Sequence, residues 1–265
     1  NARSAITGIT LIAGFASTVG WPLTAWGASE LGWRETCFAW AAAHLLIGLP
    51  LNRFLLPKPD NIVVSADTNG KPHIPLDRTM IVLGFAFAAS WMVVAAMAVH
   101  LPRLLEAAGA TSVQAVAAGA LIGPAQVGAR IVEASLLTRF HPLFSARLSV
   151  VLHPLGAGVL AIVGASGASG AFALLHGAGS GILTIARGTV PLAVFGPENY
   201  GYRLGLLGAP SRIAMAAAPL LFGVLIEWYG AGVLLFSSAL SLAALAGLYM
   251  LPLTQAASRT TTDQA

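Results

Sequence analysis

The stretch MIVLGFAFAASWMVVAAMAVHL, from Met80 to Leu101, decides the fold class. It contains no acid, lysine or arginine over 22 residues. A hydrocarbon core about 30 Å thick needs about 20 such residues in a helix. Seven further apolar runs surround it: Ser4 to Ala28, Thr36 to Leu56, Val113 to Leu137, Leu148 to Ala165, Ala171 to Phe195, Leu204 to Ile226 and Gly232 to Pro252. Strands of a membrane barrel would be about half as long and would alternate in polarity, which these runs do not. Helices also close their own backbone hydrogen bonds, as lipid demands. The reading is an all-α integral membrane protein with eight transmembrane helices.

The whole chain agrees with that stretch. Of 265 residues, 57% are apolar and 9% charged, against roughly a quarter charged in a soluble domain. A water-facing surface cannot be built from so few charges, so the lipid bilayer is the expected partner. The formal charge of +4 comes without any basic run, which argues against nucleic acid. Cys37 is the single cysteine, so neither an intrachain disulfide nor a cysteine metal site is available. No HExxH or GxSxG pattern is present, and no metal or cofactor is expected. Gly177-x-Gly179-x-Gly181 mimics a dinucleotide fingerprint, but it lies inside an apolar run without a preceding strand. Gly177 and Gly181, like Gly119 and Gly123, read instead as small residues that let helices approach. Gly164-x-x-Gly167-x-x-Gly170 reads as a short outer loop.

Eight crossings put both ends of the chain on one side. Arg3, Arg53, Lys58, Lys71, Arg78, Arg139, Arg147, Arg203 and Arg259 fall on that side, and only Arg34 and Arg103 on the other. The positive-inside rule then places both termini in the cytoplasm of a cell (inner) membrane. Residues 57–78, rich in Pro, Asn, Asp and Lys, read as a cytoplasmic linker.

Spans one and two repeat in spans seven and eight. Trp21-Pro22-Leu23 aligns with Ala218-Pro219-Leu220, Glu30 with Glu227, and Leu56-Pro57 with Leu251-Pro252. Both copies begin near an arginine, Arg3 and Arg203, and carry proline in mid-helix. Copies six helices apart in one orientation belong to transporters with two related halves. Residues 1–56 then read as the last two helices of a first six-helix bundle, 79–253 as a complete second bundle, and 254–265 as a cytoplasmic tail. The start at Asn1, close to an apolar run, fits a fragment lacking four preceding helices.

With the repeat, the hydrophilic linker and the motifs Arg3-x-Ala5-x-x-Gly8, Ala13-Gly14, Trp21-Pro22 and Leu31-Gly32-Trp33-Arg34, the chain resembles the major facilitator superfamily. The resemblance covers essentially the whole chain and implies helices five to twelve of a twelve-helix fold. A narrower resemblance is to monocarboxylate-porter-like members, which carry a polar pair four residues apart in helix eight. Here that pair is Gln126 and Arg130, with Gln126 standing where those members have an acid.

The polar residues inside the spans carry the functional expectations. An arginine at mid-membrane costs about 2.5 to 3.5 kcal/mol on insertion scales, and this chain has three, Arg130, Arg187 and Arg212. In span four, Gln126, Arg130 and Glu133 project from one helical face. In span six, His176, Ser180, Thr184 and Arg187 form a similar stripe. The resemblance implies that spans three and six line a central cavity, which adds Ser90 and Trp91 from span three. The expected substrate contacts are therefore Arg187, Thr184, Ser180, His176, Trp91, Ser90 and Gln126, with Arg130, Glu133 and Arg212 as a gating or charge network. A structural network in which Glu133 neutralises Arg130 or Arg212 is the alternative for span four. His44 and His153 are lone histidines on apolar helices and read as hydrogen-bonded core or interface residues, with proton handling as the alternative.

No grouping of nucleophile, base and acid is evident, so an enzyme is not expected. The expectation is a monomeric secondary transporter, symporter or antiporter, that moves a small anionic organic solute by alternating access with a coupled proton or other ion. Proton-driven multidrug efflux, or a nonfunctional truncated transporter, are the alternatives.

Overall fold

The computed structural model describes Gly8, Ile9, Gly20, Leu23, Thr24, residues 26–55 and residues 74–251. Span one lies largely outside the described residues, as do most of the 57–78 linker and the 254–265 tail. The described residues form helices and turns without a strand. The chain divides into two compact units, 15–73 and the remainder.

In the smaller unit, α1 (Trp33–Ala43) continues through a π-helical turn, His44–Gly48, into α2 (Leu49–Phe54). Trp40 Nε1 donates to Thr24 Oγ1 at 3.1 Å. Thr36 fits against Gly27, where a Cβ would come within 2.9 Å of its hydroxyl.

The larger unit holds α3 (Arg78–Ala107), α4 (Ser112–Ser135), α5 (Pro142–Val163), α6 (Ala165–Phe195), α7 (Tyr200–Tyr229) and α8 (Val233–Tyr249). Five helical segments are long and apolar enough to cross a membrane. The fifth, Tyr200–Tyr249, comprises α7 and α8, broken by a 3-10 turn at Gly230–Gly232. The outward faces are apolar: Ile162 is 86% exposed and Leu220 77%. Faces of that kind need lipid rather than water, and the protein is an all-α, multi-pass membrane protein.

Local chemistry sets the helix ends. The Asp77 carboxylate accepts from Met80 N at 2.8 Å and caps α3. Thr111 and Gln114 form a capping box at the start of α4. The expected outer loop over residues 164–170 is instead helix from Ala165 onward, and Gly164 alone joins α5 to α6. Its φ of +87° and ψ of 154° lie where only glycine is at ease. At the other end of the bundle, Arg147 of α5 donates to Leu248 O at 3.0 and 3.2 Å and lies over the Tyr249 ring, closing the carboxyl end of α8.

Glycines set the spacing around α6. A Cβ on Gly181 would fall 2.5 Å from Gln126 O, and one on Gly177 would fall 2.9 Å from Ile122 O, so α6 lies directly on the α4 backbone. Gly179 faces Ser149 O of α5 in the same way. Gly119 and Gly123, expected to act likewise, have nothing within 4 Å.

The contacts fix direction. Gly177 on Ile122, Gly181 on Gln126 and Thr184 by Arg130 make α4 and α6 parallel. Gly84 on Leu207, His100 on Pro219 and Arg103 on Glu227 do the same for α3 and α7. Gly156 on Phe172 and Ser149 by Gly179 make α5 antiparallel to α6. Arg147 at Leu248 and His153 at Ser237 make α5 antiparallel to α8. Val82 at Gly247, with Ser90 and Ser241 at one cavity, makes α3 antiparallel to α8, so all six helices alternate in direction.

The pairing has an internal symmetry. Exchanging α3, α4 and α5 for α6, α7 and α8 carries the pair α4/α6 onto α7/α3, α5/α6 onto α8/α3, and α5/α8 onto itself. Because each set has three helices, the second runs opposite to the first. The match extends to residues: Val82 packs on Gly247 as Phe172 packs on Gly156, with Phe172 following Val82 by 90 positions and Gly247 following Gly156 by 91.

Candidate functional site

Four helices meet at a cavity of about 20 Å³ in the larger unit. It is lined by Ser90 of α3, Ser149 and His153 of α5, His176 and Ser180 of α6, and Ser241 of α8, with valine, leucine and glycine between them. That volume holds one water and no organic solute. Ser90 and Ser180 are related by the same 90-residue offset, and each is 6% exposed.

The cavity presents acceptors. Each serine hydroxyl donates back to its own helix: Ser90 to Ala86 O at 2.7 Å, Ser149 to Ala146 O at 2.7 Å, Ser180 to Gly177 O at 2.9 Å and Ser241 to Ser237 O at 3.0 Å. The oxygen lone pairs are left for the cavity. No arginine, lysine or carboxylate lines it. An anion has nothing to meet there, whereas a donor does.

The two histidines are bonded to each other. His153 Nδ1 lies 3.1 Å from His176 Nδ1, and His153 Nε2 lies 2.9 Å from Ser237 Oγ. Phe172, fully buried, stacks on His176 with ring centroids 6.0 Å apart and presents its ring to His153 at 5.5 Å. His153 is thus the hydrogen-bonded core histidine that its place on an apolar helix suggested. It joins α6 to α8.

The stripe of α6 continues beyond the cavity. Thr184 bonds Ser180 O at 2.9 Å and receives Arg130 Nη2 at 3.4 Å. Arg130 is 8% exposed, and Glu133, one turn further along α4, is fully buried. Gln126 is half-buried, and its backbone is the surface on which Gly181 rests. One turn beyond Thr184, Arg187 holds its guanidinium carbon 5.7 Å from the Trp91 ring, within cation–π range. Gly208 of α7 leaves room for it, since a Cβ there would fall 3.2 Å from Nη2. Arg187 is half-buried and forms no ion pair among the described residues. Trp91 Nε1 is buried without a hydrogen-bond partner. Arg212 is exposed on α7, apart from these groups.

The expected site residues therefore separate into three groups. Ser90, His176 and Ser180 belong to the acceptor-lined cavity; Trp91 and Arg187 form a cationic patch with a spare N–H; and Arg130 joins α4 to Thr184 of α6, with Glu133 buried one turn beyond it on α4. Ser149, His153, Ser237 and Ser241 were not among the expected contacts. Their signal was present as Ser149/His153 and Ser237/Ser241, polar pairs four residues apart on otherwise apolar helices. No protein-family model matches the chain, and no curated protein sequence matches it significantly.

Proposed function

We propose that the protein is a secondary transporter of the major facilitator type that moves a small anionic organic solute by alternating access. On this reading α3 to α8 form one six-helix half, the chain crosses the inner membrane eight times, and Arg78, Arg139, Arg147 and Arg203 mark the cytoplasmic end. The observation that carries the reading is the inverted relation of α3–α5 to α6–α8, with a polar cavity between the two sets. Nested three-helix repeats of this kind occur in each half of such transporters, with sites near the midplane at the repeat interface.

The solute class follows from Arg187. A guanidinium inside a membrane helix and without an acid calls for water or an anion, and its planar fork suits a carboxylate or phosphate. The Trp91 ring lies against the guanidinium and helps to position it. The acceptor-lined cavity refuses an anion, so the solute belongs at Arg187 and Trp91 rather than among the serines.

The test is binding to the purified protein in detergent, measured by thermal stabilisation with short carboxylates, phosphate monoesters and lipophilic cations. At least one anion should stabilise the parent. Arg187→Gln should weaken that anion about 10- to 100-fold, the equivalent of losing a charge-assisted hydrogen bond of roughly 1.5–3 kcal/mol. Arg187→Lys should restore little, because a point charge lacks the fork. Unchanged anion binding in Arg187→Gln, or stabilisation by lipophilic cations alone, overturns the reading.

A further inference from the structure

The geometry points to the His176–His153–Ser237 chain as a proton-binding site that holds one proton and not two. As the coupling ion for transport, that proton rests on the reading above; as a bound proton, it rests on the hydrogen bonds alone.

The bond directions follow from the hydroxyl. Ser237 Oγ donates to Leu234 O at 3.1 Å, so toward His153 it accepts. His153 Nε2 therefore carries a hydrogen, its Nδ1 is a lone pair, and His176 Nδ1 is the donor across the 3.1 Å contact. His176 Nε2 is then the lone pair left over. It is the one ring nitrogen of the pair without a protein partner among the described residues, on a residue that lines the cavity.

A proton entering through the cavity adds to His176 Nε2. The Nδ1 hydrogen can then cross to His153 Nδ1, leaving His176 neutral with its hydrogen on Nε2 and His153 as the imidazolium. No other bond changes, and one positive charge has moved from α6 to α5. A second proton would place an N–H on each Nδ1, facing one another at 3.1 Å, so the pair saturates at one.

Burial of the pair works against any charge, and the neighbours offset part of that cost for one. The serine oxygens offer acceptors, and the face of Phe172 lies on His176. No fixed charge competes within the cavity. On the elements packed around it, the nearest charged groups are Arg130 of α4, at Thr184, and Arg187 of α6; these lie eight and eleven positions along α6 from His176, roughly 12 and 16 Å at the helical rise. Glu133 lies further along α4, and α3, α5 and α8 bring only serines and apolar side chains to the pair.

The experiment is ring nitrogen NMR of 15N-histidine-labelled protein in nanodiscs, titrated from about pH 8 to about pH 4. His153→Asn and His176→Asn assign the signals, since each keeps a polar atom at the δ position. Ser237→Ala, which keeps both imidazoles and perturbs His153 Nε2, assigns them should the asparagine variants fail to fold. The Nδ1 signals of both histidines should move together through one step that amounts to one proton. Two separate steps amounting to two protons, or no movement of either signal, overturns the proposal. Adding an anion that binds then separates the two readings. A one-proton step without anion-linked proton uptake removes the coupling and leaves the proton site, whereas anion binding that depends on Arg187 without any histidine step removes the proton site and leaves the anion site.

Discussion

A methyl group added at Gly181 tests the packing on which the site depends. The Cβ of Gly181→Ala would lie 2.5 Å from Gln126 O and 2.9 Å from Gln126 Cα. Ordinary contact begins near 3.4 Å, so about 0.9 Å must be found. Both obstructing atoms are backbone, and no rotamer change can move them. Helices α4 and α6 must separate, and a gap of about 0.5–1 Å forfeits roughly a quarter to a half of each dispersion contact it opens. Overpacking of this kind costs about 1–3 kcal/mol, offset by about 0.5–1 kcal/mol for replacing a helical glycine. At the middle of these ranges the net expectation is a loss of about 1 kcal/mol. Gly119→Ala on α4 is the control, with nothing within 4 Å of its Cβ, and should gain about 0.5–1 kcal/mol. Equilibrium unfolding in a denaturing detergent, followed by circular dichroism, measures both. A Gly181→Ala protein as stable as the parent would refute the close α4/α6 approach, as would a Gly119→Ala protein that loses as much.

Three further outcomes are expected. Gly164→Ala should cost about 1–3 kcal/mol in the same assay, because its φ of +87° and ψ of 154° are closed to a side chain; a neutral result would mean that the α5–α6 joint is built differently. Arg147→Met should cost about 1–3 kcal/mol by leaving Leu248 O without its charged donor, and equal stability of the two proteins would show that water caps α8 as well. In a Cys37→Ser background, Ser166→Cys and Glu198→Cys, exposed at opposite ends of α6, should react with an impermeant thiol reagent from opposite sides of a sealed membrane, and labelling of both from one side contradicts the crossing.

The helices were legible because lipid makes composition a direct readout of burial. The 22 residues from Met80, free of acids, lysine and arginine, give the core of α3, and the helix runs on to Ala107 through Arg103 and Glu106, which hydropathy sets aside but a helix end in water accommodates. The glycines at 164, 167 and 170 misled for a physical reason. Glycine punctuates chains in water, whereas between membrane helices small residues are packing surface, and only Gly164 takes the conformation of a turn. The stripe on α6 could be read because its members share one helix. The partners of His153 could not, since they lie 23 and 84 positions away on other helices; the Ser149/His153 spacing marks a polar face without saying what it meets.

The inverted repeat also bears on the proposed roles of the polar residues. Packing positions persist across its two copies: Gly156 with Gly247, Ser90 with Ser180, and Pro102 with Pro191 at an offset of 89. Chemistry does not. At an offset of 90, His176 corresponds to Ala86 and Arg187 to Met97; at 91, His153 corresponds to Ala244. All three counterparts are core residues, with exposures of 1%, 1% and 0%. The scaffold therefore accepts apolar side chains at these positions, and burying an imidazole or a guanidinium there carries a desolvation cost that Ala86, Met97 and Ala244 avoid. Since packing is satisfied without them in one copy, packing cannot account for them in the other. That contrast supports the two proposals above, a proton at the His176–His153 pair and an anion at Arg187. Replacing His176 and His153 together by alanine, the residue at both counterpart positions, should on this argument leave the fold intact and remove the proton. A double variant that fails to fold while Ser237→Ala folds normally would return the histidines to a structural role.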